Sequence, residues 1–389
     1  MTPLPYTPNA DPRLAGGRLT VDLDALVSNW LLLHEKSRPA RAAAVVKANA
    51  YGLGIEQVVP PLHAAGCRQF FVALPEEGLR IRALGLDCDI YVLNGLFAEA
   101  CAAFDEYGLT PVLGSVEEVA LWREHARSLG KTLSFAVHVD TGMNRLGLNL
   151  GEIEALARSC EADAAIKPVL LLSHLSCADT PDSPKNLRHL ESFQKARAIL
   201  GKIDSSLANS PGIFLGHDFT FDLSRPGIAI YGGEAVNDVP NPMKPVVTLE
   251  ARIVQVRNAT KGDVAGYGGA ARLFRDTRIA ICSVGYADGY HRSSSGAGVP
   301  LRETVATGGQ GFIAGKRVPI LGRVTMDLTS FDITDLPEGT VRAGDFIELI
   351  GPDISLDDAV RAAGTIGYEL LTSLGHRYHR RYIYSGKQY

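Results

Sequence analysis

Eight short apolar runs recur across the first 230 residues, each followed by a stretch long enough for a helix, and this alternation constrains the fold more than any other feature. The runs are Ala43 to Val46, Phe70 to Leu74, Ile90 to Leu93, Pro111 to Leu113, Phe135 to Val139, Val169 to Ser173, Ser206 to Ala208 and Gly227 to Ile230. Several are apolar throughout, as parallel strands covered on both faces are. Eight strand–helix units imply an α/β fold closed into a (β/α)8 barrel. A doubly wound open sheet is the other arrangement the pattern allows. The intervening segments have helical periodicity. From Val116 to Ser128, Val119, Leu121, Trp122 and Ala126 gather on one face, and Ser115 stands as N-cap before Glu117 and Glu118. A helix from about Asp24 to Glu35 puts Leu26, Trp30 and Leu33 together in the same way.

The chain has 389 residues, enough for such a barrel and a smaller partner domain. Three prolines within Val239 to Pro245 mark the junction. The expected division is a flexible tail over residues 1–17, the barrel over 18–240 and a mainly β domain over 241–389, to which residues 18–23 could add a strand. Beyond the junction the expected strands are Val246 to Val256, Arg278 to Val284, Gly311 to Ile320, Leu328 to Ile333 and Asp345 to Ile350, with a helix over Leu356 to Ala363. Apolar residues make up 46% of the chain, which supports a large core. A net charge of -4 argues against a nucleic-acid binder, and the basic stretch His376 to Arg381 reads as a solvated or subunit-facing edge. Six scattered cysteines form neither a metal-ligand pattern nor a disulfide framework, so reduced thiols are expected. No apolar run reaches the ~18 residues of a membrane span and no secretory pattern opens the chain. The expected location is the cytoplasm.

Chemistry-bearing residues fall where a barrel would use them, at the C-terminal ends of its strands. Lys47 ends the first strand and leads into a turn punctuated by Gly52 and Gly54. A lysine amine has a reference pKa near ~10.4, so a nucleophilic role calls for a buried position that depresses it. Arg145 follows the fifth strand and His174 ends the sixth; Asn209 and Ser210 follow the seventh, while Arg225, Gly227 and Ile228 surround the eighth. Taken singly, each has an ordinary reading as a surface charge, core histidine or turn residue. Their joint placement at one barrel mouth favours a site.

The segment Ala43 to Gly54 resembles the pyridoxal-phosphate lysine signature of the alanine racemases, and the resemblance continues along the chain. It includes Val139 to Gly147, Leu223 to Gly232, Gly266-Tyr267-Gly268-Gly269, Val284 to Tyr290 and Leu321 to Asp327. Such a resemblance implies a barrel that binds pyridoxal 5'-phosphate (PLP), a C-terminal β domain and a head-to-tail homodimer that interconverts L- and D-alanine for peptidoglycan synthesis. Lys47 would hold PLP and work on one face of the substrate, with Tyr267 from the neighbouring subunit on the other. Tyr51, Ser210 and the amides of Gly227 and Ile228 would cradle the cofactor phosphate, with His174, Asn209 and Arg225 around the rest of it. Arg225 would face the pyridine nitrogen. Arg145 and the partner's Met326 would position the substrate carboxylate and cofactor oxygen, and Asp327 and Tyr286 would stand at the substrate approach. No metal enters this scheme.

Three positions depart from the family pattern. Leu53 stands where a histidine is common, His138 where some members carry a carbamylated lysine that braces the active-site arginine, and His376 where some place an entrance tyrosine. These leave substrate breadth open. A broader amino-acid racemase and a non-catalytic PLP carrier are the alternatives, the second disfavoured by the complete β domain and Tyr267.

Overall fold

The computed structural model describes residues 11–388. The first ten residues of the expected tail lie outside them. The described residues form two units, one made of residues 27–230 and 234–243, the other of residues 11–26, 231–233 and 244–388.

The first unit is built on seven parallel strands in sequential order: Ala44–Val45, Gln69–Val72, Asp89–Val92, Thr110–Leu113, Leu133–His138, Ile166–Leu172 and Asp204–Ser206. An eighth, Leu223–Ser224, pairs in parallel with Arg41–Ala42. Hydrogen bonds on both its sides close the ring. Asp222 and Arg225 donate their amides to the carbonyls of Ser205 and Ala208 on one side, while Arg41, Ala43 and Val45 donate to Asp222, Ser224 and Pro226 on the other. Gly227 to Ile230, read from sequence as the eighth strand, is instead a 3-10 turn from Ile228 to Tyr231 that follows it. Leu223 and Ser224 carry too little apolar length to stand out, whereas Ile228 and Ile230 are buried without being in a sheet. The expected helices form as Leu23–Ser37 and Val116–Leu129. Ser115 accepts from the Glu118 amide at 3.2 Å and Glu118 accepts from the Ser115 amide at 3.1 Å, a reciprocal cap. Trp30 is buried and its indole donates to the Ala43 carbonyl at 3.1 Å, tying its helix to the first strand.

The second unit centres on the long strand Val247–Ala259. Its first half lies between Gly17–Asp22 and Phe346–Ile350, and its second half pairs with Thr277–Cys282, which continues to Thr329–Asp332. The expected strand Gly311 to Ile320 is a hairpin, Gln310–Ile313 and Lys316–Pro319, turned at Ala314 and Gly315, both at positive φ. The helix Leu356–Ala363 has the expected bounds. The basic stretch enters the sheet, with His379–Tyr384 parallel to Gly17–Asp22. Ahead of that strand, the Arg252 guanidinium holds the carbonyls of Pro12 and Arg13.

Candidate active site

Lys47 opens a turn of unusual backbone. Ala48, Asn49, Ala50 and Tyr51 all have φ between 53° and 57°, a left-handed run of four residues with side chains. Each such residue costs roughly 1–2 kcal/mol, so the turn must be held from outside. Glu77 supplies much of that hold. Its carboxylate accepts from the amides of Asn49 at 3.0 Å, Ala73 at 2.9 Å and Leu74 at 3.2 Å. The Asn49 side chain accepts from the Ile55 amide and from Arg80, which is itself paired with Glu56. This strained turn fixes Lys47 at the open mouth of the barrel. The sequence reading expects a buried lysine, but in the single chain Lys47 is exposed, because the strand ends beneath it at Val45 and Val46 is the last buried residue before the turn. Its pKa is nonetheless lowered, first by the desolvation of the surrounding walls and then by the Arg145 charge, with Glu77 opposing.

Arg225 forms the floor. It is 5% exposed and donates to the Ser206 carbonyl at 2.8 Å, the Ser206 hydroxyl at 2.5 Å and the Ser173 carbonyl at 2.5 Å. Burial lowers its pKa to about 10, which leaves it a cation at neutral pH. His174 lies beside it, its Nε2 3.4 Å from the Asn209 amide nitrogen. Burial and the charges of Arg225, Arg145 and Lys47 push the His174 pKa well down, so its ring is neutral. His138 is buried and held at a pKa of about 4 by burial, Arg225 and Arg145.

At the other side of the mouth, Tyr51 and Gly227 are in contact, and the Ser210 hydroxyl accepts from the amides of Gly227 at 2.8 Å and Ala229 at 3.3 Å. Ile228 lies between them and is buried. Asn209 caps the short helix Ser210–Phe214 by accepting from the Gly212 amide at 3.0 Å. A tyrosine hydroxyl, a serine hydroxyl and successive backbone amides form a set of donors suited to phosphate. Arg225 and Arg145 disfavour the charged form of both histidines and Lys47 adds to that effect at His174, so three basic groups converge on the mouth. That charge and that donor set fit PLP, and they fit a carboxylate substrate beside it.

Arg145 is exposed and lies in a loop that is closed from within. The Asp140 carboxylate accepts from the amides of Gly142, Met143 and Asn144, and Gly142, Asn144 and Gly147 take positive φ. A Cβ on Gly147 would meet the Asp140 nitrogen at 2.4 Å, so the loop depends on that glycine.

The remaining expected residues lie in the second unit, around one cleft of about 510 Å³ lined by Tyr267, Tyr286, Arg323, Met326 and Asp327 among others. Tyr267 is 73% and Met326 55% exposed. Arg323 donates to the carbonyls of Gly298 and Tyr267, fixing the tyrosine's turn. Asp327 is bound by Arg377, which also makes a bidentate pair with the buried Asp288. The sequence reading missed Glu77, Ser173, Ser206, Arg323 and Arg377. Of these, Glu77 alone carried a signal, as the acidic third residue of a helix opened by Pro75.

Comparison with known proteins agrees with this architecture. Residues 21–235 match the alanine racemase N-terminal domain family and residues 246–382 the alanine racemase C-terminal domain family. An alanine racemase of Rhizobium meliloti is 54% identical over 95% of this chain and 97% of its own length. A biosynthetic alanine racemase of Agrobacterium fabrum is 53% identical over 94% of this chain and 93% of its own, and a catabolic one from the same organism is 46% identical over 96% and 93%. Among solved structures, alanine racemase from Bartonella henselae with covalently bound pyridoxal phosphate is 37% identical, with a TM-score of 0.87 over 95% of this chain and 100% of that one.

Proposed function

This chain belongs to the alanine racemase family, and on that premise we infer that it interconverts L-alanine and D-alanine with PLP, supplying D-alanine for peptidoglycan. The observation that carries the reading is the positive barrel mouth, where Lys47, Arg145 and Arg225 converge beside two neutral histidines. When bound there, PLP supplies an electron sink for negative charge at the substrate Cα.

The roles of the side chains follow from their chemistry. Lys47 would hold the cofactor, Tyr51, Ser210 and the amides of Gly227 and Ile228 would receive its phosphate, and His174 and Asn209 would stand against the rest. Arg225 would stand against the ring nitrogen; with a pKa of about 10 it keeps its own proton at neutral pH, which would restrain full protonation of the ring and hence side reactions. Arg145 receives the substrate carboxylate. Inverting Cα takes a proton carrier on each face. Lys47, whose lowered pKa makes the neutral amine easier to reach, serves one. Tyr267 of the partner subunit serves the other, in a homodimer whose sites combine the barrel of one chain with the exposed cleft of its neighbour. Met326, Asp327 and Tyr286 then line the approach. No helix among the described residues is long and apolar enough to cross a membrane. The cytoplasm, where peptidoglycan precursors are made, is the proposed location, and cell fractionation tests it.

The direct test is a chiral assay of the purified protein across common amino acids. Equilibration of the two alanine enantiomers is expected; an absorbing PLP protein without turnover would be a carrier, and faster turnover of serine or lysine would make it a broader racemase. Borohydride reduction tests the attachment. The reduced pyridoxyl group should lie on the peptide containing Lys47, and a label on another lysine overturns the assignment.

A further inference from the structure

A buried histidine that the site has not used lies behind the loop that carries Arg145. His189, on the helix Pro184–Leu200, is 2% exposed. Its Nδ1 is 2.8 Å from the Thr141 hydroxyl, and its Nε2 is 2.9 Å from the hydroxyl of Ser176. The Thr141 hydroxyl is also 2.8 Å from that of Ser173. Ser173 directly follows the sixth strand, and its carbonyl receives Arg225. One chain of hydrogen bonds thus runs from the surface at Ser176 through His189 and Thr141 to the residue that seats Arg225.

The loop explains why this matters. Asp140 stiffens it internally through three amides, and the Asp140 and Leu148 amides tie its base to Leu148 and His138. Beyond these backbone ties, the Thr141 side chain fastens the loop to the barrel through the Ser173 hydroxyl and the His189 ring. A neutral imidazole presents one N–H and one acceptor, and the hydroxyls on either side can serve as donor or acceptor, so either tautomer completes the chain. Burial lowers the His189 pKa, with Asp140 opposing, which keeps the ring in that neutral form.

We propose that His189 is a positioning residue for carboxylate recognition: it locks Thr141 against the end of the sixth strand and so fixes the loop that presents Arg145. The proposal rests on the racemase reading above, in which Arg145 receives the substrate carboxylate. His189 touches neither substrate nor cofactor.

The test uses the holoenzyme in four forms, wild type, His189→Leu, Thr141→Val and the double variant, with His189→Gln as the conservative control. Alanine kinetics give KM and kcat, and calorimetric titration with acetate gives the affinity for a bare carboxylate. Loss of one buried hydrogen bond corresponds to a roughly tenfold change. His189→Leu is expected to raise KM and the acetate Kd by about that factor with kcat little changed, the pattern of lost binding common to ground and transition states. The double variant should be no worse than the worse single one, because both break the same link. His189→Gln should recover most of the loss. Wild-type KM and Kd in His189→Leu, or losses that multiply in the double variant, overturn the proposal. Should His189→Leu fail to fold or to retain PLP absorbance, Thr141→Val decides alone, and an unchanged acetate Kd there overturns it. A wild-type protein that binds acetate but does not racemise alanine would instead defeat the racemase reading.

Discussion

The Tyr51 hydroxyl lies so close to the Cα of Gly227 that a Cβ built there would meet it at 2.3 Å. The contact joins the lysine-bearing turn after the first strand to the segment after the eighth, at the end of the barrel where Ser210 also reaches the Gly227 amide. Gly227 does not take positive φ, so its lack of a side chain serves this approach and not the backbone.

Gly227→Ala should therefore displace Tyr51 and weaken PLP binding. A roughly tenfold or larger rise in the cofactor Kd is expected, measured by absorbance titration of the apoprotein. Adding Tyr51→Phe removes the clashing hydroxyl, so the double variant should bind PLP no worse than Gly227→Ala alone. Additive losses would show that the two residues act separately.

Glu77 holds the left-handed turn through three amides, and Glu77→Ala leaves all three without their acceptor. Hydrogen bonds to a charged group are worth about 1.5–3 kcal/mol each, with partial compensation by water, so a destabilisation of about 3 kcal/mol is expected in urea unfolding. PLP retention should fall with it, since the turn positions Lys47. Wild-type stability and retention would mean that Asn49 and Arg80 suffice to hold the turn.

His138 makes stability depend on acid. Its folded pKa is about 4 against an unfolded value near ~6.5, because burial and the two arginines disfavour the imidazolium. Between those values the unfolded chain binds the extra proton, so stability falls as pH drops from about 6.5 to about 4, by at most about 3 kcal/mol from this group. Above that window its contribution is flat. Replacing His138 with Gln removes the titration, and the difference between wild-type and variant unfolding free energies across the window measures it. Parallel pH curves would assign the acid sensitivity to other groups.

Much of the barrel was legible because six of its strands fall on apolar runs, and such runs announce themselves without any knowledge of what they pair with; the seventh, Asp204–Ser206, is polar and meets the expected Ser206 to Ala208 only at Ser206. Leu223–Ser224 escaped because a two-residue strand is specified by its neighbours' hydrogen bonds and not by its own composition. Candidate site residues were proposed from motifs, yet the contacts that hold them were not legible. Nothing in the order of residues says that Glu77 will reach back to Asn49, or that Ser206 will face Arg225, since both contacts join separate strand–helix units. The exposure of Lys47 was hidden for another reason. A residue after a buried strand was expected to be buried too, but a barrel strand ends at an open mouth.

That open mouth and the exposed Tyr267 together motivate the last prediction. If each active site combines Lys47 of one subunit with Tyr267 of the other, Lys47→Ala and Tyr267→Phe should each abolish most activity, and mixing them should restore some. In a mixed dimer one site receives both defects and the other receives neither. Random exchange makes about half the dimers mixed, each with one intact site of two, so activity should return to about a quarter of wild type. Native mass spectrometry establishes whether exchange has occurred. If mixed dimers form and activity stays at the level of the separate variants, the two residues do not meet across the interface, and Tyr267 must either serve the barrel of its own chain or leave the second face to another group.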